Sequence, residues 1–413
     1  MRGIILTWIR INLGIGILTL PFFVQRVGVF YGVVMLFLAA VFTYFCNAFL
    51  FEAMHKGKIE DYHSLVAFFL PKWIGHVFKW TLFIDLFSVV IVYMVFSWNQ
   101  LEFLMFSCHL YKQQWIKDEE KILYYEYSSW VFFIRFAFFT LQFVVLIPFL
   151  LKKSLDSLQK ITFLYLFVIL GLMTFIIVQG LEYRNHYIQN NNWEIKILKE
   201  PKTFFATNFF SIIISYYIQP FVLSLKQSLM NPTLKRLKKV AFYSVFGNFL
   251  IFLFFSCYCY FCFGDKEMVK IITLRKKLDE TSDLFEYFFR FLILCYLIFN
   301  SIGVALFNLT FRQYILEKFN FFNKKFMFYF GSLSALLFGC IVALLLPDVI
   351  EVFKYFGITI YNFDGFVIPL LLKRKICKME GGQQYKINCI DFILVLNLVI
   401  VVVGLYSFII NTN

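Results

Sequence analysis

Apolar runs of about twenty residues recur along the whole chain, separated by short polar connections, and this alternation predicts an all-α polytopic membrane protein. A run of that length crosses roughly 30 Å of hydrocarbon as a helix. Eleven such segments are read at 4–29, 30–52, 77–107, 128–151, 157–180, 203–228, 240–264, 284–309, 326–346, 349–371 and 389–410. The third is long enough to tilt or to project beyond the bilayer. The longest polar connections, 108–127, 181–202 and 265–283, are too short for a core of their own. The Lys-rich stretch 371–388, with Gly381-Gly382, reads as a flexible linker.

The first segment is interrupted. Asn12-Leu13-Gly14-Ile15-Gly16-Ile17-Leu18-Thr19-Leu20-Pro21 places two glycines in the middle of a span, and glycine is the poorest helix former after proline. Lipid does not tolerate the backbone groups that a break releases, so such backbone lines a cavity and holds something polar or charged. Close helix packing is the other use of small residues, but a spacing of two does not put both glycines on one helix face. Inverted-repeat carriers have broken helices at corresponding positions of two halves. A five-span repeat puts the counterpart in the sixth segment, where Phe209 to Val222 is apolar at both ends, polar in the middle and contains Pro220. Proline removes a backbone donor and predicts a kink or unwinding there. The whole of 1–413 is thus read as one transporter domain, with a first repeat over 1–180, a second over 203–371 and an additional helix over 389–410.

Composition narrows the class. Hydrophobic residues make up 61% of 413 and charged residues 15%, which excludes a water-soluble fold. The net charge of +14 falls in clusters such as Lys235/Arg236/Lys238/Lys239 and Lys373/Arg374/Lys375/Lys378 in every second loop, while acids balance the cations of the others. This positive-inside pattern places the N-terminus in the cytosol and the C-terminus on the other side. It points to membrane lipid rather than nucleic acid as the partner of the basic loops. The nine cysteines show no disulfide framework, and Cys257, Cys259 and Cys262 lack nearby histidine or carboxylate, so no metal or cofactor is expected. Neither a catalytic cluster at helical spacing nor a channel filter is visible, and no cleavable signal peptide is read before the first span.

Taken with these features, the motifs resemble the amino acid/auxin permease family, which includes sodium-coupled and proton-coupled neutral amino acid carriers. Asn12 through Pro21 is similar to its first-span pattern G-x-G-I/L-L-x-L-P. Gln219-Pro220-Phe221-Val222-Leu223, continuing to Leu229-Met230-Asn231-Pro232, is similar to the sixth-span pattern H-P-x-V-L-P-I-Y-x-E-L-x-x-P. Tyr93 fits a third-span tyrosine, and Pro347, Phe356-Gly357 and Pro369 match the spacing around the tenth span. The resemblance implies a LeuT-like five-plus-five inverted repeat with discontinuous helices 1 and 6, and coupled transport of small neutral amino acids. Departures concern the coupling positions: Gln219 replaces a histidine, Thr7 stands where the proton-coupled branch has one, and Ser224, Lys226 and Ser228 replace proline, tyrosine and glutamate. Coupling to Na+ and to H+ both stay open.

The chemistry expected of the site follows from a zwitterion, whose two charges are costly in apolar surroundings unless paired. Backbone N–H groups at Gly14, Ile15, Gly16 and Ile17 are assigned to the carboxylate, helped by the helix dipole. Tyr93 closes over it, and freed carbonyls near Ser211 and Ser215 receive the ammonium. Gly14, Gly16 and Pro220 are the hinge positions. Asn12, Asn300 and Ser301 are candidates for a coupling cation. Asp85 and Asp364, as intramembrane carboxylates, are candidates for a proton. An amino-acid sensor with little transport is the alternative reading on the same fold. The location is a plasma or a vacuolar/lysosomal membrane, with oligomeric state open.

Overall fold

A computed structural model describes residues 2–59, 61–107, 129–150, 156–189, 193–199, 204–219, 229, 232–266, 268–274, 285–300, 324–345, 349–381 and 384–412. Among them every long element is helical, the form that satisfies its own backbone inside lipid. The first segment is two helices, α1 (Arg2–Asn12) and α2 (Ile15–Val27), followed by α3 (Val29–Gly57). A short α4 (Tyr62–Phe69) leads into α5 (Lys72–Ser107), and α6 (Ser129–Leu150), α7 (Asp156–Gln189) and α8 (Phe204–Ile214) follow. Next come α9 (Leu234–Phe263), α10 (285–300), α11 (Lys324–Leu345) and α12 (Val349–Phe356). Two π-helical turns, Gly357–Tyr361 and Phe363–Val367, then lead into α13 (Ile368–Met379), and α14 (Gln384–Thr412) ends the chain.

Each of the eleven predicted segments falls at least in part on helix. Six helical stretches among the described residues are long and apolar enough to cross a membrane: Val29–Gly57, Lys72–Leu104, Leu164–Gln189, Leu234–Phe263, Lys354–Met379 and Gln384–Ser407. The pattern of exposure is the reverse of a water-soluble protein. Trp73, Phe133, Leu141, Phe167, Phe392 and Leu398 are more than half exposed, while Asn47, Gln100, Asn208, Asn248 and Asp364 are completely buried. Apolar side chains that face outward in such numbers need lipid around them.

The predicted linker at 371–388 is a correction. Helix α13 continues to Met379 and α14 starts at Gln384, so only the residues between them join the two. Two of the basic residues there are paired, Lys373 with Glu52 of α3 and Arg374 with Asp391 of α14, while Lys375 and Lys378 are exposed. Lysines near a helix C-terminus also complement its dipole.

The chain divides into two compact units. The first comprises Met1–Ile84, Gly180–Ile272 and Phe353–Asn413. In it α2 and α3 form a tight hairpin, because a Cβ at Gly32 would sit 2.9 Å from a Val24 methyl. Helix α9 lies along α3 with ring contacts Phe37–Phe249 and Tyr44–Phe242. Gly247 lets α1 approach α9, since a Cβ there would meet Ile9 Cδ1 at 3.0 Å. The second unit comprises Asp85–Gln179 and Thr273–Val352. Its interior is aromatic: Phe175 stacks between Phe285 and Phe289, and Tyr165 stacks on Tyr296. Arg135 is buried there against the rings of Trp98 and Phe139 and donates to the Ala343 carbonyl.

Candidate substrate site at the paired helix ends

The interruption of the first span lies at Leu13–Gly14. Helix α1 stops at Asn12, the chain bends, and α2 begins at Ile15 with Gly14 as its N-cap. No side chain caps the new N-terminus. Leu13 N–H still reaches Ile9 O at 2.9 Å, but Gly14 N–H turns back to Asn12 O at 2.8 Å. Ile15, Gly16 and Ile17 form the first turn of α2 and are buried. The first N–H groups of a helix lack intrahelical partners and carry the positive end of its dipole. Asn12 is buried at the end of α1, with an amide that finds no hydrogen-bond partner among the described residues.

The sixth span also ends inside the protein. Helix α8 stops at Ile214, ahead of the predicted kink at Pro220, which lies outside the described residues. Its last turn tightens: Ser215, Tyr216 and Tyr217 donate to Ile212, Ile213 and Ile214, each three residues back. Such i→i−3 closure is a common helix ending and leaves carbonyls with the dipole's negative end. Ser211 spends its hydroxyl on the Thr207 carbonyl at 2.9 Å, and Ser215 is buried at the end of the same face.

These two ends meet. A Cβ on Gly16 would lie 2.5 Å from Ser215 Oγ and 3.1 Å from Ser215 Cα. Only a residue without a side chain fits there, so Gly16 brings a helix N-terminus against a helix C-terminus. The tenth span packs on the same place, which sequence reading missed. Gly357 abuts Ile214 and the Phe210 carbonyl, Tyr361 and Tyr217 are in ring contact at 4.6 Å, and Gly365 abuts the Tyr217 ring. The π turns open the helix between these contacts, and such bulges often mark functional sites. The available signal was Asp364 between two glycines eight residues apart. Asp364 is fully buried in the second π turn, where Thr81 Oγ1 donates to its Oδ1 at 2.6 Å and Tyr62 OH donates to its carbonyl at 2.6 Å.

The remaining candidates belong to the second unit. Tyr93 lies on α5, its carbonyl accepting from Ser97 Oγ at 2.8 Å. Asn300 donates to Ser97 Oγ at 3.3 Å, and Ser301 lies outside the described residues. Asp85 is buried at the start of that unit, and its carbonyl accepts from Ser88 Oγ. So Gly14, Ile15, Gly16, Ile17 and Ser215 come together, with Ser211 on the same face of α8 and Asn12 at the adjoining helix end.

Long apolar helices, outward apolar side chains and an interrupted span with buried polar ends define a polytopic membrane protein. The chain matches the family described as transmembrane amino acid transporter protein over residues 3–412, and it belongs to that family. The resemblance to the amino acid/auxin permeases is thereby borne out, and the family is one of transmembrane amino acid transporters. No curated protein matches the chain.

Proposed function

We propose that the protein is a secondary active carrier of small neutral amino acids that works by alternating access. The observation that carries the reading is the contact of Gly16 with Ser215. It sets donors at the start of α2 beside acceptors at the end of α8, a complement to a zwitterion. The substrate carboxylate takes the amides of Ile15, Gly16 and Ile17, and the ammonium takes carbonyls around Ser211 and Ser215. The driving ion is Na+ or H+. Asn12 is the candidate oxygen donor to the former in the first unit and Asn300 in the second, and Asp364 or Asp85 carries the latter. Gly14, Gly16 and Pro220 are the hinges. With the N-terminus cytosolic, the Gly28 turn faces the outside or an organelle lumen, in a plasma or vacuolar/lysosomal membrane.

Proteoliposomes loaded with the protein and given an imposed Na+ or H+ gradient should accumulate a 14C-labelled mixture of neutral amino acids. Absence of uptake and exchange under both gradients refutes the carrier. Binding without uptake would favour the sensor. Gly14→Leu or Gly16→Leu should abolish binding at unchanged expression, and unchanged binding refutes the carboxylate site.

A further inference from the structure

Residues 193–199 are not helical and lie as a strap across the Gly28 end of the first unit. Their main chain is used on both sides. Val29 and Phe30, the first amides of α3, donate to the carbonyls of Lys196 at 3.3 Å and Ile197 at 3.0 Å. Beyond α9, Asp265 N–H donates to the Glu194 carbonyl at 2.7 Å. Trp193 Nε1 donates to Phe261 O at 2.9 Å, and Lys196 N–H donates to Tyr260 OH at 3.1 Å. The approach is close because both turns beneath are glycines with positive φ, Gly28 at +85° and Gly264 at +71°. A Cβ at Gly28 would lie 3.0 Å from Ile197 O, and one at Gly264 would lie 3.1 Å from Glu194 O.

Asp265 is the node of this end. Lys199 and, at 3.5 Å, Lys196 pair with its carboxylate, and Tyr260 OH donates to it at 3.2 Å. Gln25, in the last turn of α2, donates through Nε2 to its carbonyl at 2.9 Å and to its carboxylate at 3.2 Å. Helix α2 has 13 residues and is severed from α1, so its far end and its flanks set its direction. At about 20 Å long, a tilt of about 3° around the far end moves its first amides by about 1 Å. Sites that bind through oriented groups need placement within about 0.5 Å.

We propose that Asp265, with the 193–199 strap locked on it, is a positioning residue for transport: through Gln25 it keeps the amides of Ile15, Gly16 and Ile17 aimed at the substrate carboxylate. This rests on the carboxylate reading of those amides. Charge-assisted hydrogen bonds, the stronger class, supply the grip.

The test uses the full chain in proteoliposomes with an equimolar 14C-labelled mixture of neutral amino acids. Asp265→Asn and Gln25→Ala should each raise the half-saturating concentration about tenfold, with the maximal rate per inserted carrier little changed. The double variant should be no worse than either single one, as for groups acting in one contact. Hydrogen exchange supplies a readout independent of uptake: in Asp265→Asn, amides of residues 15–17 and 24–30 should exchange faster, and those of α14 should not. Unchanged half-saturation, additive effects or unchanged exchange at residues 15–17 overturns the proposal. Gly14→Leu separates the two ideas. If it abolishes uptake while Asp265→Asn alters nothing, only the positioning role fails; if it leaves uptake intact, the carboxylate reading fails.

Discussion

At the Gly28 end of the first unit, Asp265 is gripped by Lys196, Lys199, Tyr260 and Gln25, and a non-helical strap is sewn to the helices by main-chain hydrogen bonds. At the Gly57 end, Glu52 of α3 is gripped by Lys238 of α9 and Lys373 of α13, while Lys56 meets Glu380 and Arg374 meets Asp391. Both ends tie three or more chain segments through a carboxylate with little exposure, 12% for the Asp265 side chain and 17% for Glu52. They differ in what would have to break. Parting the Gly28 end costs backbone bonds that have no ready substitute, whereas the Gly57 end is joined by long side chains that can change partners. The first suits a fixed reference for the site, and the second suits a junction that exchanges contacts during a transport cycle.

The largest expected effect tests whether the strap is as tight as its geometry. Gly28→Ala forces a β-carbon into a glycine-only backbone region and against two carbonyls, and should destabilise the protein by about 3 kcal/mol. Thermal unfolding in detergent would show it, and a neutral outcome would mean that the strap yields. Glu52→Gln should cost about 2 kcal/mol by the same measurement, because two ammonium groups lose a charged acceptor. A loss as large as that of Gly28→Ala would erase the distinction between the ends. Gly381 has a φ of +64° and nothing within 4 Å of where a β-carbon would sit, so Gly381→Ala should cost only about 1 kcal/mol. The difference between the two glycines combines the closer packing at Gly28 with its more restricted backbone region. Lys56→Ala should change stability by about 0.5 kcal/mol or less, since that pair is exposed and screened. Raising the ionic strength should diminish the Lys56 effect and leave the Gly28 effect intact.

Local pattern made some of this legible. The break beside Gly14 follows from two glycines in an apolar run, and the helices follow from the length of those runs. The end of α8 was legible only as a polar middle with a proline; the chain leaves the helix earlier, at Ile214, where the amides of Ser215 to Tyr217 turn three residues back. The π turns around Asp364 were not legible, because the gain from widening a helix depends on Tyr217, Thr81 and Tyr62, which are remote in sequence. The strap reads as an ordinary polar loop until its carbonyls are seen over Gly28 and Gly264.

By itself, then, the sequence determined the membrane environment, the helical class, the family pattern and the position of the first break. These depend on neighbouring residues: apolar length against bilayer thickness, and glycine's weakness in a helix. Tertiary structure alone decided that Gly16 meets Ser215, that span ten bulges against the same point, and that Asp265 anchors the far end of α2. Each of those is a contact between segments distant along the chain, where shape and hydrogen-bond geometry select the partner and no local periodicity records the choice.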